Sequence, residues 1–348
     1  MEIGVAFLGD LDAVSMLDWA LELDADEHVS RLWVADERFL RDPWVQLGAL
    51  AALTRRTQIG ICVTDPFVRH PALTASAAAT LDELSGERAV LGLGAGSTGF
   101  AALGIVPHGQ ADAVRECIEL CRLLWAGGDP ISYEGREVTF RQDRLHYRVR
   151  RQLPIYVAAR GPRMMKAAAQ HADAVLVGNF IQGHGLEYAL TAIAEGERQR
   201  SGPSPLRRAA WVYFSVGEPE AARAAAARGL ALMLWSSHSL LTRIGYELPP
   251  NLVSFLAVRQ HSLRDDEIDE LVTLLPDGLI DDCTIAGDVP TCVRKLRALR
   301  TRGFEEVAIL PFAQPGVDER EIVGRLLADV VPQVSGAPAQ GQAAAPDA

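Results

Sequence analysis

Residues 94–99 read Gly-Ala-Gly-Ser-Thr-Gly and directly follow the apolar run Ala89-Val-Leu-Gly-Leu93. A strand followed by Gly-x-Gly-x-x-Gly has the spacing of a dinucleotide-binding turn, where glycines let a pyrophosphate approach the backbone at a helix N-terminus. Two requirements of that reading fail here. Gly99 leads into residues 100–109, which include Gly104 and Pro107 and cannot turn helical before about residue 109. About 20 residues on, where an acidic residue should close a second strand, Glu116 and Glu119 fall inside a helical pattern. What survives is local: Gly92, Gly94 and Gly96 at a strand end admit close approach of another group, and N–H groups there can face an anion or a flat ring. Tight strand-to-helix packing would use the same glycines.

Other strand ends carry comparable groups: Asp36-Glu37, Cys62-Val63-Thr64-Asp65, Ala159-Arg160-Gly161 and Gly178-Asn179. The strands that present them are eight β-rich runs, residues 3–8, 31–35, 58–63, 89–93, 154–158, 174–177, 209–216 and 306–310. Helical patterns alternate with them at 12–28, 43–54, 71–84, 110–125, 162–171, 185–200, from 218 onward and at 318–331, and Pro43, Pro71 and Pro162 stand near helix starts. Strict βα alternation with near-continuous apolar strands implies a parallel sheet covered by helices, and eight units imply a closed (β/α)8 TIM barrel. Its active site would lie at the C-terminal strand ends.

Two segments interrupt the alternation. Residues 130–147 alternate around Glu134-Gly135 and predict a β-hairpin before strand five. Residues 217–285 hold more than one helix and predict a helical insertion between strands seven and eight. One domain over residues 1–334 is expected, with an Ala/Pro/Gly/Gln-rich tail, 335–348, disordered.

The 348 residues carry a net charge of −11 with no basic stripe, which argues against nucleic acid as partner. The N-terminus has neither a basic start nor a long apolar segment, and no stretch approaches the roughly 20 apolar residues of a membrane helix, so a cytoplasmic protein is expected. Cys62, Cys117, Cys121, Cys283 and Cys292 form no CxxC. They read as buried small hydrophobes, and no metal site is expected.

Four motifs in register carry a resemblance: Val34-Ala-Asp-Glu37; Gly60-Ile-Cys-Val-Thr-Asp-Pro-Phe-Val-Arg-His-Pro71; Ala79-Thr-Leu-Asp-Glu-Leu-Ser-Gly-Glu-Arg88 running into Leu91-Gly-Leu-Gly-Ala-Gly96; and Ile155-Tyr-Val-Ala-Ala-Arg-Gly-Pro162. Over residues 1–200, and again from Ala286 to Pro311, the chain resembles the bacterial luciferase-like superfamily, within it the methylenetetrahydromethanopterin reductase branch that depends on the deazaflavin coenzyme F420. The resemblance implies a barrel holding a deazaflavin, or alternatively FMN, across its strand ends, a helical insertion after strand seven, and a homodimer. It implies a cis peptide at Cys62-Val63 behind the ring, with Thr64 beside it, and Asp36 near the ring's polar edge. Ala95, Gly96 and Ser97 would line the cofactor, as would Ala158, Ala159, Arg160 and Gly161. The next helix N-terminus, flanked by Arg160, Arg163 and Lys166, suits an anion, with Gly178 and Asn179 next in line for the phosphate.

Many relatives follow the acidic residue with histidine, and this chain has Glu37. Glu37 could exchange a substrate proton if burial raised its pKa, or could be a loop carboxylate paired with Arg38 or Arg41. His70, before Pro71, reads as the cap of the third helix. The expected activity is hydride transfer between the deazaflavin and a small-molecule substrate, an imine, activated alkene or carbonyl, with Asp36 and Glu37 as the catalytic candidates. An FMN-dependent monooxygenase is the second reading, and a non-catalytic flavin-binding barrel the third.

Overall fold

The computed structural model describes residues 1–96, 99–150, 152–200, 204–253 and 264–335. Ser97 and the tail from residue 336 lie outside the described residues. Eleven strands are present: β1 Glu2–Phe7, β2 Val29–Val34, β3 Gln58–Thr64, β4 Ala89–Leu93, β5 Ile131–Glu134, β6 Thr139–Asp143, β7 Ile155–Ala159, β8 Ala174–Gly178, β9 Arg207–Val216, β10 Thr284–Gly287 and β11 Glu306–Pro311. Nine form one parallel sheet in the order β10-β9-β11-β1-β2-β3-β4-β7-β8, and a further β8–β9 pairing closes eight of them into a barrel. The closed strands correspond to the eight runs expected, with ends shifted by at most two residues.

The ninth strand, β10, corrects the all-helical reading of residues 217–285. It pairs with Tyr213 to Val216 of the unusually long β9, beyond the stretch that β8 uses. Four residues with no alternation carry too little pattern to be read as a strand. The insertion otherwise follows expectation: α7 Pro219–Arg243, then helices Asp265–Thr273 and Asp277–Cys283. The hairpin β5–β6 is antiparallel, as expected.

Around the barrel run α1 Ala13–Ala25, α2 Pro43–Leu53, α3 Pro71–Ser85, α4 Gln110–Ala126, α5 Pro162–His171 and α6 Gly183–Glu197, with Val289–Thr301 and Glu319–Arg325 completing the circuit. The first helix stops short of residue 28 because Asp26 turns extended and its carboxylate accepts from the His28 N–H at 2.8 Å. The last breaks into a π turn at Leu326–Val330. Asp12, Asp42, Glu218, Asp288 and Asp318 accept first-turn N–H groups in the usual capping way. His70 caps α3 as expected: its Nδ1 accepts from Ala72 N at 3.1 Å.

The barrel interior is packed. Trp33 fills its lower half, and a Cβ on Gly4 would stand 2.9 Å from the indole nitrogen. Below it, Arg31 is paired with Glu306, which also accepts from Tyr156 Oη at 3.1 Å and Trp33 Nε1 at 3.3 Å. A buried cation is thereby matched to a buried anion with its lone pairs used, the condition under which such a pair persists in a core. All five cysteines are buried and unbridged. No helix of the described residues is long and apolar enough to cross a membrane.

Candidate functional site at the barrel mouth

A cleft of about 1000 Å³ opens over the C-terminal strand ends. Its lining includes Asp36, Glu37, Cys62, Val63, Ala95, Gly96, Ala158, Ala159, Arg160, Gly161, Gly178 and Asn179, so one cavity brings together twelve of the residues singled out from sequence. Thr64 does not line it. That residue is buried, and its hydroxyl favours the charged form of the Asp36 carboxylate.

The floor is low in bulk because glycine and alanine end the strands. The Cys62–Val63 peptide is cis, and β3 shifts register against β4 between Ile61 and Thr64. A Cβ on Gly94 would come within 2.5 Å of Val63 Cγ2, so Gly94 cannot take a side chain unless Val63 moves. Gly96 sits at φ 65° against Phe100 and Asp65, where both conformation and space favour glycine.

Charge is distributed unevenly around this floor. Burial raises the Asp36 carboxyl above its ordinary pKa, opposed by the Thr64 hydroxyl and by Arg38. Arg38 pairs with Asp65 and lies 4.6 Å over the Phe100 ring, while Arg41 donates to the Gly9 and Asp10 carbonyls at 3.2 and 2.8 Å. The two arginines suggested as partners of Glu37 therefore have these engagements. The charge of Glu37 acts on Arg38, and also on Arg160 and Tyr213 across the mouth. Tyr213 is pushed up to about 12, first by burial, with the Glu37 charge adding and Arg160 opposing.

Three helices around the mouth lack a capping side chain of their own at the N-terminus: α4 at Gly109, α5 at Gly161 and α6 at Gln182. The α6 N–H of Gly185 is met by Tyr246 Oη of the insertion at 3.2 Å, and that hydroxyl donates to Asp282 at 2.8 Å. The first turns of α4 and α5 contribute Gln110, Ala111, Pro162 and Arg163 to the cleft lining. Asn179, at φ 61° and 2% exposed, has no partner for its Nδ2 donor. A buried amide donor left unmade is costly unless a ligand meets it. Lys166 departs from the expected basic cluster: it pairs with Glu195 at 3.0 Å and does not line the cleft.

Sequence reasoning missed Arg38, Phe100, Trp211, Tyr213, Ser237, Leu240 and Arg243, all in the lining. Trp211 and Tyr213 were signalled by their place near the C-terminal end of a barrel strand. Ser237 and Leu240 had no signal, because only the packing of α7 brings them there.

The luciferase-like monooxygenase family profile matches residues 29–306. The chain is 31% identical over 318 residues to the 5,10-methylenetetrahydromethanopterin reductase of Methanolobus tindarius, covering 88% of this chain and 93% of that one. It is 35% identical over 178 residues to the enzyme of the same name from Archaeoglobus fulgidus, a match spanning 51% of this chain and only 53% of that relative. Among solved structures, the coenzyme F420 dependent tetrahydromethanopterin reductase from Methanopyrus kandleri superposes with a TM-score of 0.81 at 25% identity, over 96% of this chain and 99% of that one.

Proposed function

Because the chain belongs to the luciferase-like monooxygenase family, we propose that it is an oxidoreductase that binds the deazaflavin coenzyme F420 in the barrel-mouth cleft and transfers a hydride between it and a small organic substrate. The observation that carries this reading is the cleft floor: Val63, Gly94, Ala95, Gly96, Ala158 and Ala159 leave a surface without large side chains at the strand ends, in a cleft of about 1000 Å³. The likeness to reductases over nearly their whole length supports it. So does the unpartnered Asn179 donor, which with the uncapped α5 N-terminus and Arg163 would take the coenzyme's phosphate. Bound there, the deazaflavin supplies a hydride donor or acceptor at C5.

The chain's own residues position, desolvate and move protons. Trp211, Leu176 and Leu310 make one side of the cleft apolar and exclude water from the reacting carbon. Asp36, its pKa raised by burial, keeps a proton to higher pH than an exposed aspartate and offers it at the polar edge of the floor. Glu37, whose charge reaches Tyr213 across the mouth, exchanges the proton that accompanies reduction or oxidation of a carbonyl or imine substrate.

Titration of the protein with F420 and with FMN, followed by absorbance and fluorescence, tests the assignment. Micromolar F420 binding with FMN at least about tenfold weaker is expected. The reverse order favours an FMN-dependent monooxygenase, and binding of neither sinks both.

A further inference from the structure

Arg160 directly follows β7, and its side chain crosses Gly178, whose Cβ would lie 3.0 Å from Arg160 Cγ. Its Nη1 donates to the Ser237 hydroxyl of α7 at 2.6 Å. Among the described residues no carboxylate stands within 4.0 Å of this guanidinium, which lines the cleft. Guanidinium carries five N–H donors, and the bond to the neutral Ser237 hydroxyl leaves most of them open to the cleft, where Glu37 acts on the charge only from beyond ion-pair distance. A partly buried cation in that condition is held at a cost that a bound oxyanion would relieve. Burial also lowers the Arg160 pKa, the same cost expressed in proton affinity.

We propose that Arg160, set in place by Ser237, anchors an oxyanion of the substrate, so that the substrate is a small organic acid with an apolar body. The inference rests on the hydride-transfer reading of the same cleft and names its substrate class. An oxyanion at Arg160 could also come from the acidic side chain of the coenzyme. Three observations favour the substrate. In the ring of eight strands, β9 stands four places from β3, directly across the mouth from the Cys62–Val63 floor. The Arg160 guanidinium lies on that far side, against α7 and close enough to Tyr213 of β9 for each to act on the other's charge. The surfaces around it, Trp211, Leu240 and Leu310, suit an apolar body, and Arg243 in the last turn of α7 adds positive charge at the rim. On a chain of net charge −11, an anion is drawn here by these local groups and by no general field.

The test compares phenylacetate with its uncharged isostere phenylacetamide, by calorimetry on the protein without coenzyme and with F420 added. Wild type should bind phenylacetate about tenfold or more tightly than the amide. Arg160→Met should abolish that preference, Arg160→Lys should keep part of it, and Ser237→Ala should weaken phenylacetate by about threefold. Circular dichroism and thermal transitions establish that each variant is folded, and the lysine variant keeps the test decisive if the methionine variant is not. Equal binding of acid and amide by wild type, or binding of neither, overturns the proposal. Weakened F420 binding in Arg160→Met with phenylacetate unchanged also overturns it, and assigns the oxyanion to the coenzyme. An Arg160-dependent preference for the acid in a protein that binds neither F420 nor FMN upholds the anchor and removes the hydride-transfer reading instead.

Discussion

Glu116 is 1% exposed on α4 and accepts three backbone N–H groups from the turn of the β5–β6 hairpin: Arg136 at 3.0 Å, Glu137 at 2.8 Å and Val138 at 2.9 Å. Replacing it with alanine leaves those donors facing a buried gap. Bonds to a charged acceptor contribute about 1.5–3 kcal/mol each, but the turn can open to water and recover part of that, so a net local loss of about 3 kcal/mol is expected. A loss of that size corresponds to roughly a hundredfold faster hydrogen exchange at these three amides, since about 1.4 kcal/mol is one factor of ten. The β4 amides, in the barrel wall, should keep their wild-type rates. The hairpin turn also brings Arg136 into the cleft lining, so the variant should loosen one rim of the site. Burial raises the Glu116 pKa while the N–H groups and Arg115 lower it, and the balance is a lowered value. Its contribution is therefore present above the ordinary carboxylate range and lost as pH falls through the folded value, so wild-type hairpin protection should decline in acid and that of Glu116→Ala should not. Wild-type exchange rates at residues 136–138 in Glu116→Ala would refute the reasoning.

Further outcomes follow from other parts of the molecule. Glu306→Gln leaves Arg31, buried under Trp33, with only the half-exposed Glu2 at 3.9 Å as counter-charge and should lower unfolding free energy by about 3 kcal/mol in denaturant titration, with Arg31→Met/Glu306→Leu milder than the single change. Glu319 is pushed up to about 7, by burial first and then by Asp10 and Asp318. Its raised folded pKa means stability is greatest below the unfolded value and lost as pH rises through 7. Glu319→Gln should therefore gain roughly 1–3 kcal/mol at pH 8 and little at pH 5. Gly94→Val would crowd Val63 and should weaken F420 by about tenfold or more in fluorescence titration, with the melting temperature lowered by a few degrees because Val63 must move. Val45 and Leu53 of α2 and Leu73 and Leu84 of α3 are exposed apolar side chains, and we propose that they meet a second copy of the chain. Light scattering should give a dimer that Val45→Glu/Leu73→Glu converts to monomer.

Much of this architecture is legible in the sequence because a closed parallel barrel repeats one signal. Each apolar run is buried on both faces, each is followed by a helix with a recognisable start, and Pro43, Pro71 and Pro162 do fall at first helical positions. Strand ends then locate the mouth without any knowledge of its depth or charge. Arg160 shows where this kind of reading stops. From sequence it stands beside Arg163 and Lys166 and looks like one of a basic trio. In the structure Lys166 turns to Glu195, and Arg160 reaches Ser237, 77 positions along the chain. Glu37 is a parallel case: its neighbours in sequence are Arg38 and Arg41, and its charge is felt not only by Arg38 but by Arg160 just after β7 and by Tyr213 of β9. Side chains five or six bonds long sample directions that no local pattern encodes, and the direction taken depends on which distant element leaves a partner in reach.

The insertion between β9 and β11 decides that outcome for most of the mouth. Without α7 the Arg160 guanidinium would face open solvent, where water would satisfy it and no selectivity for an anion would follow. With α7 in place, Ser237 fixes its direction and the low-dielectric surroundings strengthen any charge it meets. The anchoring of that insertion is itself specific: Tyr246 bonds Asp282 and at the same time meets the open N–H of Gly185. Loss of the hydroxyl in Tyr246→Phe leaves two polar groups without their partner and should free the insertion to move relative to β8 and α6. If the position of α7 is what tunes Arg160, this change, which touches no cleft residue, should reduce the acid-over-amide preference while F420 affinity stays within about threefold. A preference unchanged in Tyr246→Phe, with faster exchange across α7, would show that Arg160 holds its direction without the insertion's support.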